Sequence, residues 1–291
     1  MRFATVRTTG GTHAARVEGD RLLLLAAPDV GAMLAASASS PGAGVAGSVA
    51  MAAKVATGAL EPIGEIALAD ASFAPLVPHP EKIFCVGLNY RAHILEMSRD
   101  LPGYPTLFAK FASSLIGAND DLVLPSVSDA VDWEAELGVV IGRRLRRADL
   151  DDARDAIAGF TVVNDVSMRD WQGRTTQFLQ GKTFDASTPV GPVLVTGDEI
   201  DDANDLEVRC EVDGAVMQRG RTSDLLFGPA AVVSYISQFA TLVPGDLIST
   251  GTPAGVGAGR SPQVFLAAGQ VMTTVVEGIG SCVNRCVLEA S

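Results

Sequence analysis

The sequence predicts an α+β, β-rich fold with few helices, in which a small N-terminal domain precedes a larger one. Three observations support this. Several apolar runs are short, rich in β-branched residues and closed by Gly or Asp, as at 82–87, 137–141 and 159–166, which is the pattern of buried strands. The clearest helical pattern is Pro229–Phe239, where Pro opens the first turn and Val232, Val233, Ile236 and Phe239 share one face. Pro75, Pro78 and Pro80 punctuate a linker, so residues 1–78 are assigned to the N-terminal domain and 79–291 to the larger one.

Taken in order, residues 1–28 alternate weakly around Gly10-Gly11 and Gly19-Asp20, which predicts small hairpins. Residues 35–59 collapse to Ala, Gly, Ser and Val, with a helix expected around 47–55. The strand at 82–87 runs into 88–97. If that part is helical, His93 and Glu96 are spaced i, i+3 and share a face. A carboxylate beside an imidazole fixes its tautomer and raises its basicity, as a water-activating base requires, although an ordinary surface ion pair has the same spacing. Residues 91–104 are polar and bounded by Gly103-Tyr104-Pro105, as a lid would be.

The stretch 131–142 carries the most chemistry. On a strand, Glu134 and Glu136 point one way while Trp133, Ala135 and Leu137 point the other. Two neighbouring carboxylates repel, so they belong either on a solvated edge strand or around a cation. Asp165 ends the strand at 159–166 and adds a third carboxylate, unless it caps a helix over 167–170. Three carboxylates without His or Cys favour a hard dication, Mg2+ with Mn2+ or Ca2+ as alternatives, over zinc. Lys182 follows Gly181 in apolar surroundings, where its ammonium can approach an anionic oxygen or simply end a turn.

Residues 206–221 read as a hairpin turning at Asp213-Gly214. The Gly-rich loop at 250–257 follows a strand but lacks the helix and spacing of a dinucleotide fingerprint. Its backbone N–H groups and the Thr252 hydroxyl suit a carboxylate instead. Strands separated by turns at 268–270 and 277–280 close the sequence over 264–289.

A net charge of −12 argues against a nucleic-acid-binding surface and against docking on an anionic membrane. No segment has the length of a membrane span, and residues 1–4 lack a signal-peptide core, so a cytoplasmic location is expected. The four cysteines have no histidine partners at ligand spacing and are read as buried free thiols.

In this order, the motifs Cys85-Val86-Gly87-Leu88-Asn89-Tyr90 with His93 and Glu96, Trp133-Glu134-Ala135-Glu136-Leu137, Asn164-Asp165-Val166 with Arg169-Asp170, Gly181-Lys182-Thr183-Phe184-Asp185, 250–257 and Glu277-Gly278-Ile279-Gly280 resemble the fumarylacetoacetate hydrolase family. The resemblance spans about residues 80–289. It implies layered mixed β-sheets, a homodimer, and Mg2+ or a similar cation on Glu134, Glu136 and Asp165. It further implies Lys182 on a substrate oxyanion, Gln172, Gly251 and Thr252 as substrate contacts, and His93 with Glu96 as the water-activating lid dyad. Leu88 departs from the Arg found in some acylpyruvate-cleaving relatives.

The expected substrate is a small 2-oxo acid. The leading expectation is hydrolysis of a C–C bond in a 2,4-dioxo acid of the acylpyruvate or fumarylacetoacetate type, through a pyruvate enolate stabilised by the cation. Oxaloacetate decarboxylation and isomerisation of a 2-hydroxymuconate-type diacid use the same enolate. A metal-binding homologue without turnover is the non-enzymatic rival.

Overall fold

The computed structural model describes residues 1–38, 61–96, 100–200 and 203–290, without the side chains of His93 and Glu96. The helix expected around 47–55 lies outside the described residues. Within them the architecture is β-rich with short helices, as the sequence predicts.

A twelve-stranded sheet dominates. Its main path runs Gly64–Ala67, Arg21–Leu24, Gly11–Glu18, Arg2–Thr8, Thr188–Thr196, Ile157–Asn164, Ala135–Ile141, Leu247–Ser249, Ile83–Gly87 and Thr106–Ala109. Neighbours on this path are antiparallel except Leu247–Ser249 with Ile83–Gly87, so the sheet is mixed. The hairpin strands of residues 1–78 therefore join the same sheet as the strands that follow, Phe3 pairing with Leu194. A second, five-stranded sheet runs Ala215–Arg221, Glu207–Val212, Val271–Val276, Gly280–Leu288, Leu122–Leu124. Its hairpin turns at Asp213 and Gly214, with φ of 51° and 78°, the left-handed pair that a tight two-residue hairpin needs.

The strand Ala135–Ile141 sits between two neighbours and is buried along its whole length, which rules out the solvated edge. Side chains on alternate faces go to different cores. Leu137, Val139 and Ile141 join the cluster that includes Val208, Met272 and Cys282 of the second sheet. Val140 packs instead with Phe3, Met33 and Leu34, the last two from the helix Val30–Ala38. All four cysteines are buried and unbridged.

One expectation changes, and one open alternative closes. Residues 264–267 are not a strand, Leu266 N–H bonding to Val131 O; the expected turn at 268–270 is present, held by the Gln270 side chain, and the closing strands start at Val271. Asp165 caps no helix; the helix Arg169–Gln172 begins after Met168 and has no side-chain cap.

Asn164 ties the two sheets together ahead of the glutamate pair. Its Oδ1 accepts the Glu134 N–H at 2.9 Å, and its Nδ2 donates to Thr274 Oγ1 at 2.8 Å, both buried. Asn164→Ala is expected to lower the free energy of unfolding by about 2–4 kcal/mol, because two buried polar groups lose their partner. Urea unfolding checks this, and a change below about 0.5 kcal/mol would show that the link between the sheets carries no weight.

Candidate metal centre and active-site cavity

Glu134 and Glu136 flank the start of the central strand, and Asp165 follows the end of its neighbour. Pairing of Ala135 with Asn164 sets these chain ends side by side, and the Asp165 N–H donates to Glu134 O at 2.9 Å. One carboxylate oxygen from each of Glu134, Glu136 and Asp165 lies within 4.8 Å of the others, and all three residues are buried.

Fixed donors surround this cluster. Lys182 Nζ bridges Glu134 Oε2 at 2.7 Å and Asp165 Oδ2 at 2.8 Å. Lys110 Nζ donates to Asp165 Oδ1 at 2.5 Å. Arg169 Nη1 lies 2.6 Å from Glu134 Oε1, while its Nε donates to Asp132 Oδ2 at 2.8 Å. Glu136 Oε2 accepts from the Ser249 hydroxyl at 2.5 Å and from Gly251 N–H at 2.6 Å.

The two glutamates are driven in opposite directions by these neighbours. Burial alone would raise the Glu134 carboxyl, but the charges of Lys182 and Arg169 and their hydrogen bonds hold it down at about 2. Among the described residues no cation contacts Glu136; burial first, then the negative charges of Asp165 and Glu134, push its pKa well above the usual carboxylate value. Burial would lower the Lys182 ammonium, yet the charges of Asp165 and Glu134 overcome this and raise it. An all-oxygen donor set with one strained carboxylate fits a hard dication, which would relieve the repulsion that Glu136 feels. Glu134, Glu136 and Asp165 would hold it.

A cavity of about 300 Å3 lies beside the cluster, with Glu134 and Lys182 in its wall. Arg169, Gln172, Thr175 and Thr252 supply further polar lining, and Val86, Leu88, Phe108 and Phe178 the apolar side. Leu88 holds a left-handed backbone at φ 56°, a strained conformation for a non-glycine residue, and contributes no charge to the wall.

Of the residues singled out from the sequence, the structure brings Glu134, Glu136, Asp165 and Lys182 together, with Gln172 and Thr252 in the cavity wall beside them. Gly251 uses its N–H on Glu136, and the Thr252 hydroxyl donates to Ala135 O at 2.9 Å while accepting from Gln218 Nε2. Both therefore also brace the cluster and the strand that carries it. His93 and Glu96 fall on the helix Arg91–Glu96, but their side chains lie outside the described residues.

Lys110, Arg169, Asp132 and Gln218 were given no role by sequence reasoning. Gln218 satisfies Ala135 N–H through Oε1 at 2.9 Å, in place of a strand partner. Asp132 accepts from Trp133, Gly257 and Ala258 N–H as well as from Arg169. The one available signal was a charged or amide side chain within an otherwise strand-like run, which alone does not separate a buried partner from a solvated one.

The fold and site together describe a layered β-fold in which a buried three-carboxylate cluster able to hold a metal ion lies beside a cavity lined by a lysine. The chain belongs to the fumarylacetoacetate hydrolase family: residues 82–287 match the family model for the fumarylacetoacetate (FAA) hydrolase C-terminal domain. It is 46% identical over 220 residues to the mitochondrial oxaloacetate tautomerase FAHD2A of Bos taurus, covering 75% of this chain and 70% of that protein. Among solved structures it is similar to the 2-hydroxyhepta-2,4-diene-1,7-dioate isomerase of Mycobacterium marinum, with a TM-score of 0.79, 32% identity and coverage of 100% of both chains. It is also similar to the fumarylacetoacetate hydrolase of Exiguobacterium antarcticum, with a TM-score of 0.83, 28% identity and coverage of 99% of this chain and 100% of that one.

Gly181 permits the approach of the helix Leu179–Lys182 to the helix Arg169–Gln172. A Cβ there would lie 2.4 Å from Gln172 N and 2.5 Å from its Cα, both backbone atoms. Gly181→Ala is expected to destabilise the protein by about 1–3 kcal/mol and to shift Lys182 off the carboxylates. A thermal melt together with an Mn2+ titration checks this; wild-type behaviour in both would show that the contact yields easily.

Proposed function

We propose that this protein is a divalent-cation-dependent enzyme that interconverts enol and keto forms of a small 2-oxo acid of the oxaloacetate type. The observation that carries the reading is the buried Glu134–Glu136–Asp165 cluster with Lys182 bridging two of its members at the cavity wall. The names of relatives point the same way, one an oxaloacetate tautomerase and another an isomerase of an unsaturated diacid.

When bound, the dication supplies Lewis-acid charge and a template for chelating a 2-oxo acid. Lys182 places a positive charge where an enolate oxygen develops, and it is fixed by two carboxylates, so it needs no reorganisation as that charge forms. Gln172 faces the same cavity with an amide able to donate to a substrate oxygen. Phe108, Phe178 and Leu88 keep water from the remainder of the substrate. Tautomerisation requires a proton to be moved at the carbon next to the oxo group and needs no attacking water. A thiol route is disfavoured, since burial holds the Cys85 thiol far above its usual range.

Hydrolysis of a C–C bond in an acylpyruvate-type 2,4-dioxo acid is the second reading, supported by the family and by the placement of His93 and Glu96 on one short helix. Decarboxylation of oxaloacetate shares the same enolate. A homodimer is part of the proposal through the family resemblance. So is the cytoplasmic location, although the bovine relative carries a mitochondrial designation. No helix among the described residues is long and apolar enough to cross a membrane.

One assay set separates the chemistries: enol-oxaloacetate, keto-oxaloacetate, acetylpyruvate and a 2-hydroxymuconate-type diacid are each supplied with Mg2+, and kcat/KM values compared. Ketonisation of enol-oxaloacetate is expected to dominate. Turnover of acetylpyruvate alone would reverse the order of the two readings. Glu134→Ala and Asp165→Ala are each expected to lower kcat/KM by about 100-fold or more, with a missing Mn2+ titration as the cause. Retained Mn2+ binding in both variants would remove these acids from the metal centre.

A further inference from the structure

Lys110 follows the edge strand Thr106–Ala109, and its side chain is 1% exposed. A buried ammonium is costly unless opposite charge and hydrogen-bond acceptors surround it. This one has Asp165 Oδ1 at 2.5 Å and Val166 O at 3.3 Å. Lys110 does not line the cavity, whereas Lys182, on the other oxygen of the same carboxylate, does. Asp165 thus turns Oδ2 toward the cavity side and Oδ1 into the protein.

The other two acids are tied in the same manner. Glu134 has Oε1 on Arg169, and Glu136 has Oε2 on Ser249 and Gly251. Each carboxylate therefore has one oxygen engaged by a donor other than Lys182, which shares the remaining oxygens of Glu134 and Asp165 and leaves lone pairs there for an ion. A bidentate carboxylate must turn both oxygens to the ion, a mode that Ca2+ with its six to eight ligands uses readily and a small octahedral ion does not require.

We propose that Lys110 is a positioning residue that makes Asp165 a one-oxygen ligand and thereby sets a preference for a small six-coordinate dication, Mg2+ or Mn2+, over Ca2+. The proposal rests on the metal reading given above and adds a residue and a basis for selectivity. Lys110 acts through Asp165 and touches no substrate.

The test is a Mn2+ titration followed by the spin-resonance signal of free Mn2+, with Ca2+ as competitor, on wild type, Lys110→Met and Lys110→Arg. Wild type is expected to bind Mn2+ more tightly than Ca2+. Lys110→Met is expected to lose about 10- to 100-fold in Mn2+ affinity, the usual cost of removing a group that orients a ligand, and to narrow the Mn2+/Ca2+ ratio. Lys110→Arg, which keeps the charge, retains most of that ratio. A folded Lys110→Met protein with the wild-type ratio overturns the proposal. Should that variant fail to fold, equal Mn2+ and Ca2+ affinities in wild type, or a collapsed ratio in a folded Lys110→Arg, overturn it as well. Absence of any Mn2+ binding by wild type overturns the metal reading itself, a result distinct from intact binding with unchanged discrimination.

Discussion

Charge placed out of reach of water is the constraint on which this structure turns. Asp132, Glu134, Glu136 and Asp165 are buried together with Lys110 and Lys182, and Arg169 reaches in from the cavity wall. Each ion carries a desolvation cost of several kcal/mol, offset only by close partners of opposite sign. The partners come from separate parts of the chain: the end of one strand, two short helices and the Gly-rich loop. The sheet has to hold these parts at hydrogen-bond distance. Asn164 and Gln218 serve that end by satisfying the backbone of Glu134 and Ala135, where regular strand pairing gives out.

Much of this was legible in the sequence, for identifiable reasons. Two glutamates on alternate positions of a strand must share a side, so their proximity follows from the pleat, and Asp165 closes a neighbouring apolar run. The hairpin at Asp213-Gly214 and the helix Pro229–Phe239 likewise follow from local chemistry. The strand's position in the middle of a sheet does not, because pairing partners distant in sequence leave no local trace. Lys110 and Gln218 stayed hidden for a related reason: a polar side chain beside an apolar run looks the same whether it meets water or a buried carboxylate. Residues 264–267 have strand-like composition, but they run as irregular chain into the turn that the sequence does show at 268–270.

The same centre suits several reactions, since tautomerisation, decarboxylation and C–C hydrolysis of 2-oxo acids all pass through an enolate. A shared fold therefore does not choose among them. The choice lies in what else the cavity offers: a water-activating base, a second cation or an apolar wall. Leu88, in a left-handed conformation, gives this cavity an apolar surface and no charge to grip an anion.

The antiparallel contact between Arg2–Thr8 and Thr188–Thr196 has a consequence for handling the molecule. The segment matched by the family model starts at residue 82, which invites its use as a self-contained cassette. Cut there, Thr188–Thr196 would present bare backbone donors and acceptors along part of one side, the side away from the strand Ile157–Asn164. Exposed sheet borders of that kind recruit other chains. A shortened form would then trade its missing hairpins for self-association, and clumping in such a preparation would report a stripped border, not a faulty catalytic half.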